Sequence, residues 1–173
     1  HNVSGPRYTS YPPANFFHTK FTTPDYIEQL KASNDQQPEN ISIYIHIPFC
    51  PRRCYFCGCN TEVGQKKSVV ERYIQAVKQE IRNVASHLDI KNRKVTQIHW
   101  GGGTPNAIAM SFIEDIMDLI KERFIIDKKA EIAIECSPAY LEFAHIDLLA
   151  GMGFNRMSLG IQDFREDVLD VVN

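Results

Sequence analysis

The chain of 173 residues is long enough for one domain with a single hydrophobic core. Its net charge of −2 gives no reason to expect nucleic acid or an anionic membrane as a partner. No apolar run approaches the roughly 20 residues of a membrane span, and from the residues given we expect no signal peptide. Five cysteines, four of them clustered, suggest metal ligands in a reducing compartment, so we expect the cytoplasm.

Residues 1–22 contain many aromatic residues and prolines without a clean period, and we interpret them as an irregular arm that packs on the body of the protein. A capping hydroxyl, a proline and an acid at Thr23–Asp25 then predict a short helix, which ends in the polar loop 33–38. We assign residues 1–40 to this arm and helix, and residues 41–173 to the domain that follows.

The clearest strand pattern is at 41–47, where isoleucine alternates strictly with polar or aromatic residues. The elements predicted after it are an amphipathic helix at 67–88, a strand at 95–100, a helix opened by a capping box at Ser111–Glu114, a strand at 131–135, a helix at 140–150 ended by Gly151–Gly153, a strand at 156–162 and a helix from 163. Strands that alternate with helices through short links predict an α/β fold with a parallel sheet.

The predicted strands are not apolar on both faces, as a sheet covered on both sides would require. In the strand at 131–135, for example, Ile132 and Ile134 oppose Glu131 and Glu135. One face therefore meets helices, and the other faces something polar. A β/α barrel, whole or partial, with a ligand-lined interior explains this pattern.

Four thiols lie within the ten residues 50–59, directly after the first strand. Cys50, Cys54 and Cys57 have the spacing C-x-x-x-C-x-x-C, and such dense soft ligands suggest zinc or an iron–sulfur cluster. A structural zinc site usually needs a second pair of cysteines, but the only other cysteine, Cys136, is distant and is expected to be a small core residue. Three close thiols suit a cubane cluster that leaves one iron open to a small molecule. Unliganded thiols or a zinc-binding structural module remain the alternatives.

Several other residues follow strands at the end where barrel active sites lie. Gly101–Pro105 follows a strand, and its glycines either let a backbone pass close to a ligand with free N–H and C=O groups or only form a tight turn. Tyr44 is expected on the polar face, as a site residue or a core tyrosine. Glu135 and Gln162 end strands on the interior face, where a buried charge needs a partner. The residues expected to pack in the core or to support the site are His46, His99 and Arg156.

Five segments carry a resemblance to a known family. They are Ile-His-Ile-Pro-Phe-Cys at 45–50, Cys-Tyr-Phe-Cys-Gly-Cys-Asn at 54–60, Arg-Tyr-Thr-Ser-Tyr-Pro at 7–12, His-Trp-Gly-Gly-Gly-Thr-Pro at 99–105 and Gly-Ile-Gln-Asp-Phe at 160–164. The chain resembles the oxygen-independent coproporphyrinogen III oxidases of the radical S-adenosylmethionine (SAM) superfamily from about Ser4 to its last residue. Related heme-handling proteins share the three cysteines but generally lack Cys59 and the segment at 7–12.

The resemblance implies a radical SAM barrel, whole or partial. Because only about four β/α units are present, we expect an amino-terminal piece of a longer enzyme whose fourth strand has an open edge. The implied ligands of a [4Fe–4S] cluster are Cys50, Cys54 and Cys57. The implied SAM-binding residues are Tyr44, Phe56, Gly102, Gly103, Thr104, Glu135 and Gln162. Cys59 is not one of the standard cluster ligands in the family. Its expected role is either to line the site, to act on the substrate as a catalytic residue, or only to pack. The arm would help to close the site, and a second SAM site would draw on residues beyond 173.

The implied reaction is the oxidative decarboxylation of two propionate side chains of coproporphyrinogen III to vinyl groups, giving protoporphyrinogen IX without oxygen. The cluster and SAM would generate the radical that removes a hydrogen, and the protein would orient SAM and exclude water. The partners implied are a porphyrinogen substrate and an electron donor, and we expect a monomeric full-length enzyme and an inactive piece. A related radical SAM enzyme or a heme carrier is the alternative.

Overall fold

The computed structural model describes residues 16–172 of the chain. The segment at 7–12 and most of the expected arm lie outside the described residues. The elements are α1 (Thr23–Ala32), β1 (Ile41–Ile47), β2 (Phe49–Cys50), β3 (Glu62–Val63), α2 (Lys67–Ala85), β4 (Lys94–Gly102), α3 (Met110–Arg123), β5 (Ile125–Cys136), α4 (Phe143–Met152), β6 (Arg156–Leu159) and α5 (Glu166–Val172). Short 3-10 helices occupy 33–35, 105–107 and 138–140.

Four strands form one parallel sheet in the order β1-β4-β5-β6. Strand β4 lies in the middle, where Trp100 is in register with Ile45 of β1 and with Ile134 of β5. The helices α2, α3 and α4 connect successive strands of this sheet. The predicted α/β fold with a parallel sheet is therefore confirmed. Within residues 16–172, β6 pairs only with β5, so its other edge is open as expected.

The core lies between the apolar face of the sheet and the helices. Trp100 of β4 is fully buried, and its ring meets Phe154 edge-on with centroids 6.1 Å apart. The helices contribute an apolar stripe each, because apolar residues three and four apart share one helix face. The fully buried side chains of this stripe include Ile74 of α2 and Ile113, Ile116, Met117 and Ile120 of α3.

The opposite face of the same sheet is polar and open. Its polar side chains are exposed or half-buried, as the alternation in the sequence predicts, and they include Tyr44, Gln97, His99, Glu131, Glu135 and Arg156. This face positions the candidate site, because its residues stand in rows across neighbouring parallel strands.

Several element boundaries differ from those predicted. Helix α3 begins at Met110 with Ala109 as its N-cap, so the predicted capping box at Ser111–Glu114 does not form. Met110 packs against the core, and tertiary packing thus decides the start of the helix. Helix α1 is capped by Thr22, whose backbone N–H and hydroxyl both donate to Asp25, at 2.7 and 2.6 Å.

The bounds of three strands also differ from the prediction. Strand β5 spans Ile125–Cys136 and so begins six residues before the predicted start at residue 131. Strand β4 continues through Gly101 and Gly102, beyond the predicted end at residue 100. Strand β6 ends at Leu159, before the predicted end at residue 162, because a tight turn follows in which the Asp163 N–H donates to the Ile161 carbonyl at 2.9 Å. Helix α4 starts at residue 143 and is ended, as predicted, by a left-handed glycine, Gly153 with φ of 99°.

No helix within residues 16–172 combines the length and the apolar character needed to cross a membrane.

Candidate active site

The site is built where the carboxyl ends of β1 and β4 run side by side. Gly101 and Gly102 extend β4 and lie in register with His46 and Ile47 of β1. Gly102 has a φ of +116°, a left-handed conformation that favours glycine. A Cβ atom at this position would lie 2.8 Å from both the Ile47 carbonyl oxygen and the His46 ring. Glycine is therefore required here by the backbone and by the neighbouring strand together.

The next residues pack against the start of the cysteine loop, residues 50–61. The Gly103 N–H donates to the Ile47 carbonyl at 2.7 Å, and the Thr104 N–H donates to the Phe49 carbonyl at 2.9 Å. A Cβ atom at Gly103 would lie 2.7 Å from the Phe49 oxygen and 2.9 Å from Cys50 Sγ. The expectation that the glycines leave their N–H groups free is therefore wrong for Gly103. Its N–H is bonded to β1, and its missing side chain makes room for the cysteine loop.

The small parallel pair of β2 and β3 holds the two ends of the cysteine loop. The Glu62 N–H donates to the Pro48 carbonyl at 2.7 Å, and the Gly64 N–H donates to the Cys50 carbonyl at 3.3 Å. Within the loop, the Cys57 N–H donates to the Cys54 carbonyl at 3.1 Å. The thiols of Cys50, Cys54 and Cys57 are half-buried and free of disulfides. One short, anchored loop thus presents three thiols, each able to become a thiolate ligand.

The arrangement of these thiols bears on the metal that they could hold. Among the residues that the structure describes, no three cysteine, histidine or acidic side chains converge as the ligands of a single ion. A tetrahedral zinc with Zn–S bonds of about 2.3 Å would draw its sulfurs to within about 4 Å of one another. In a cubane cluster each thiolate binds a different iron, so the sulfurs lie further apart. Three free thiols on one loop are soft donors of the kind that bind an iron–sulfur cluster, so the residues present fit that group.

Cys59 and Cys136 have different environments from the other cysteines. Cys59 is exposed, and a hydrogen bond with Cys57, partial burial and the nearby charges of Cys57 and Glu135 raise the pKa of its thiol. It is therefore a neutral thiol near pH 7, close to Glu135 on the polar face. Cys136 is buried at the end of β5, as expected for a core residue, and burial raises its pKa to about 11.

His46 joins β1 to the end of the cysteine loop. Its Nε2 lies 2.9 Å from the Asn60 carbonyl oxygen, and its Nδ1 lies 3.0 Å from the Tyr44 hydroxyl. A carbonyl only accepts, so Nε2 carries a proton, and Nδ1 of the neutral ring accepts from the Tyr44 hydroxyl. Burial, followed by the charge of Glu135, raises the pKa of that hydroxyl. The expected supporting residue His46 is thus a bridge between Tyr44 and the loop.

Glu135 has a partner within the chain. Its Oε1 lies 3.1 Å from His99 Nε2, and its side chain is 48% exposed, so it is not the buried charge that the sequence suggested. The Tyr44 ring stacks on His99, with centroids 6.0 Å apart and planes 17° apart. A Cβ atom at Gly101 would lie 3.0 Å from Glu135 Oε2 and 3.1 Å from the Tyr44 hydroxyl. Gly101 therefore leaves room for these two side chains to converge above it.

Two of the expected SAM-binding residues stand apart from this group. The Phe56 side chain is 56% exposed in the cysteine loop. Gln162 lies beyond the end of β6, is exposed and has a φ of 71°, which is rare for a residue other than glycine. Within residues 16–172, no hydrogen bond or ring contact joins either side chain to Tyr44 or Glu135. The strand-end position expected for Gln162 is therefore wrong.

Asn106 is a residue of the site region that the sequence reasoning missed. It is 2% exposed, its Nδ2 donates to the Ser137 carbonyl at 3.0 Å, and its Oδ1 accepts from the Ser137 N–H at 2.9 Å. It thereby fastens the loop after β4 to the loop after β5. The only signal in the sequence is an amide directly after the Gly-Gly-Gly-Thr-Pro segment.

Farther from the cysteine loop, the charged side chains of the polar face form hydrogen-bonded pairs. Arg156 Nη1 donates to Glu131 Oε2 at 2.8 Å, and Gln97 Nε2 donates to Glu131 Oε1 at 3.3 Å. These two hydrogen bonds lower the pKa of Glu131. Arg156 is therefore an exposed member of the polar face and not a core residue.

The cysteine loop, the adjoining glycine segment and the parallel α/β sheet define the class of protein. A family model described as the radical SAM superfamily matches residues 44–173, and the chain belongs to this superfamily. Enzymes of the superfamily use a [4Fe–4S] cluster and SAM.

Two relatives of the chain carry the same name. It is 43% identical over 173 residues to the oxygen-independent coproporphyrinogen III oxidase of Synechocystis, and it spans 37% of that protein's length. It is 41% identical over 138 residues to a protein of the same name from Mannheimia haemolytica, covering 80% of this chain and 91% of that one. The solved structure of coproporphyrinogen III oxidase (HemN) from Escherichia coli, a radical SAM enzyme, superposes with a TM-score of 0.86 at 41% identity, over 96% of this chain and 37% of that one.

Proposed function

We propose that the chain forms the cluster-binding and SAM-binding part of an oxygen-independent coproporphyrinogen III oxidase. The reaction is the oxidative decarboxylation of two propionate side chains of coproporphyrinogen III, which gives the two vinyl groups of protoporphyrinogen IX. The observation that carries this proposal is the packing of Gly103 and Thr104 against Cys50, next to the converging side chains of Tyr44 and Glu135. The shared name of the relatives supplies the substrate.

Cys50, Cys54 and Cys57 are proposed to hold the cluster. When bound, the cluster and SAM supply the carbon radical that removes a hydrogen atom from the propionate side chain. The three thiols lie on a loop that is fixed at both ends by β2 and β3, so the ligands are positioned before the cluster assembles.

The SAM-binding residues are proposed from their place around the glycine segment. Glu135 presents a carboxylate at the carboxyl end of β5, which suits the hydroxyl groups of a ribose or an ammonium group. Tyr44 offers a ring edge and a hydroxyl beside it. Backbone at Gly102, Gly103 and Thr104 forms the floor below them, and Phe56 offers an exposed apolar ring. We place Gln162 at the periphery of this site because of its position beyond β6.

Cys59 is proposed to act on the substrate side of the site. It is exposed near Glu135 and lies outside the three-thiol spacing of the proposed ligands. We place the protein in the cytoplasm, as a monomer that receives electrons from a separate donor and acts on a porphyrinogen without nucleic acid. The domain division at residue 40 is part of the same proposal.

The experiment is anaerobic reconstitution with iron and sulfide, in the longest natural polypeptide that carries this chain. We expect an electron paramagnetic resonance signal of a reduced [4Fe–4S] cluster that changes when SAM is added, and mass-spectrometric loss of two carboxyl groups from coproporphyrinogen III. Cys54→Ala should abolish the signal, whereas Cys136→Ala, a change at the cysteine buried in the core, should keep it. Zinc in place of iron would refute the proposal. A signal that responds to SAM without decarboxylation would indicate a related radical SAM protein.

A further inference from the structure

We infer that the Thr104 hydroxyl donates a hydrogen bond to the Cys50 sulfur and thereby raises the reduction potential of a cluster held by Cys50. Thr104 Oγ1 and Cys50 Sγ lie 3.4 Å apart, although the residues are 54 positions apart in the chain. The inference rests on the proposed function only in taking Cys50 as a cluster ligand.

The direction of this hydrogen bond follows from the chemistry of the ligand. In the free chain either the thiol or the hydroxyl could be the donor. A cysteine bound to iron is a thiolate and has no hydrogen to donate. Thr104 must then be the donor, and a donor to a thiolate stabilises the form of the cluster that carries the extra electron. Hydrogen bonds to cluster sulfurs are among the factors that set the potential.

The backbone holds the hydroxyl in place. The Thr104 N–H donates to the carbonyl of Phe49, the residue directly before Cys50, at 2.9 Å. The Thr104 carbonyl in turn accepts from the Ala107 N–H at 2.9 Å, which closes the 3-10 turn that follows. Gly103 brings the two segments this close, because a Cβ atom there would lie 2.9 Å from the same sulfur. The backbone on both sides of Thr104 is therefore fixed by hydrogen bonds, which holds this residue beside Cys50.

This role differs from the SAM contact proposed for the same residue, and the two are compatible. A hydroxyl has one hydrogen to donate and two lone pairs that accept. If the hydrogen points to the Cys50 sulfur, the oxygen can still accept from an ammonium group of SAM. Thr104 would then act on the cluster before SAM arrives, so its effect can be measured without SAM.

The test compares Thr104→Val, Thr104→Ser and the unchanged protein after reconstitution, in the longest natural polypeptide. The midpoint potential of the cluster is measured without SAM, by redox titration followed by electron paramagnetic resonance. We expect Thr104→Val to make the cluster about tenfold harder to reduce, a shift of about 59 mV to more negative potential for a one-electron couple. Thr104→Ser should keep the potential, because it retains the hydroxyl.

Thr61→Val is the matched control. Thr61 is the last residue of the cysteine loop and is buried, and among the described residues its hydroxyl has no hydrogen-bond partner. Its removal should leave the potential unchanged. If Thr104→Val does not assemble a cluster, Thr104→Ala tests the same loss of the hydroxyl with a smaller side chain.

The outcomes separate this inference from the proposed function. Equal potentials in Thr104→Val and the unchanged protein, with equal iron content, would overturn the hydrogen bond and leave the proposed function standing. An unchanged potential with weaker SAM binding would assign Thr104 to SAM alone and overturn the inference. An unchanged protein that takes up no iron would refute the proposed function, and this inference with it.

Discussion

Gly103→Ala tests the close packing between the glycine segment and the cysteine loop. A Cβ atom at Gly103 would lie 2.7 Å from the Phe49 oxygen, 2.9 Å from Cys50 Sγ and 2.9 Å from the Pro48 carbonyl carbon. Two of these atoms are backbone and cannot rotate away. Overpacking of this kind costs about 1–3 kcal/mol. Movement of residue 103 would also break the 2.7 Å hydrogen bond to Ile47, which contributes about 1 kcal/mol.

The expected loss is therefore about 2–4 kcal/mol in the free energy of unfolding. It is measured by urea denaturation followed by circular dichroism, and in a protein of this size each kcal/mol lowers Tm by about 2–4 °C. The same change should reduce iron uptake, because relief of the overlap must displace Cys50 or the backbone before it. Stability and iron content should therefore fall in the same variant.

Gly58→Ala is the matched control, because Gly58 lies in the same loop and a Cβ atom there would meet nothing within 4 Å. Its backbone is not left-handed, so alanine is tolerated, and the change in stability should stay within about 0.5 kcal/mol. Equal stability of the Gly103→Ala and Gly58→Ala variants would show that the two segments do not pack as described.

Three further predictions concern the surroundings of the site. Asn106→Ala removes both hydrogen bonds to Ser137 and should lower the free energy of unfolding by about 2–4 kcal/mol in urea denaturation. A loss below about 0.5 kcal/mol would contradict the view that Asn106 joins the two loops. Burial raises the pKa of Cys136 to about 11, so the folded state keeps a proton that the unfolded state loses, and stability should fall by about 2 kcal/mol between about pH 9 and 11. Cys136→Ala should lack this part of the slope, and identical slopes would refute the prediction. Glu135→Gln should weaken SAM binding in calorimetry while stability changes by less than about 1 kcal/mol, because its pair with His99 is half-exposed; unchanged affinity would remove Glu135 from the site.

The sheet could be predicted from the sequence because its signal is local. Strand β1 alternates strictly between isoleucine and polar residues, and the structure gives it the predicted bounds, Ile41–Ile47. The polar face follows from the same period of two. The start of α3 could not be predicted in the same way, because packing of Met110 prevailed over the capping pattern at Ser111.

The contacts that build the site depend on residues far apart in the chain. The sequence shows that three glycines follow a strand, but not that Gly102 and Gly103 would face Ile47, Phe49 and Cys50. Glycine is required there because of contacts with residues more than fifty positions away, and such contacts leave no local sequence pattern. The supporting role of His46 was expected, but its partner could not be predicted for the same reason, since Asn60 is 14 positions away across the loop.

The distribution of charge on the polar face indicates where a ligand would bind. Glu131 is hydrogen-bonded to Arg156 and Gln97, so its charge is already compensated at that level of the sheet. Glu135 lies four residues further along β5, half-exposed, and has only His99 as an ionic partner among the described residues. A neutral His99 would leave the Glu135 carboxylate as an acceptor for a polar ligand. The free acceptor capacity on the polar face is therefore at Glu135, the carboxylate nearest the cysteine loop. A ligand bound there would lie beside a cluster held by that loop.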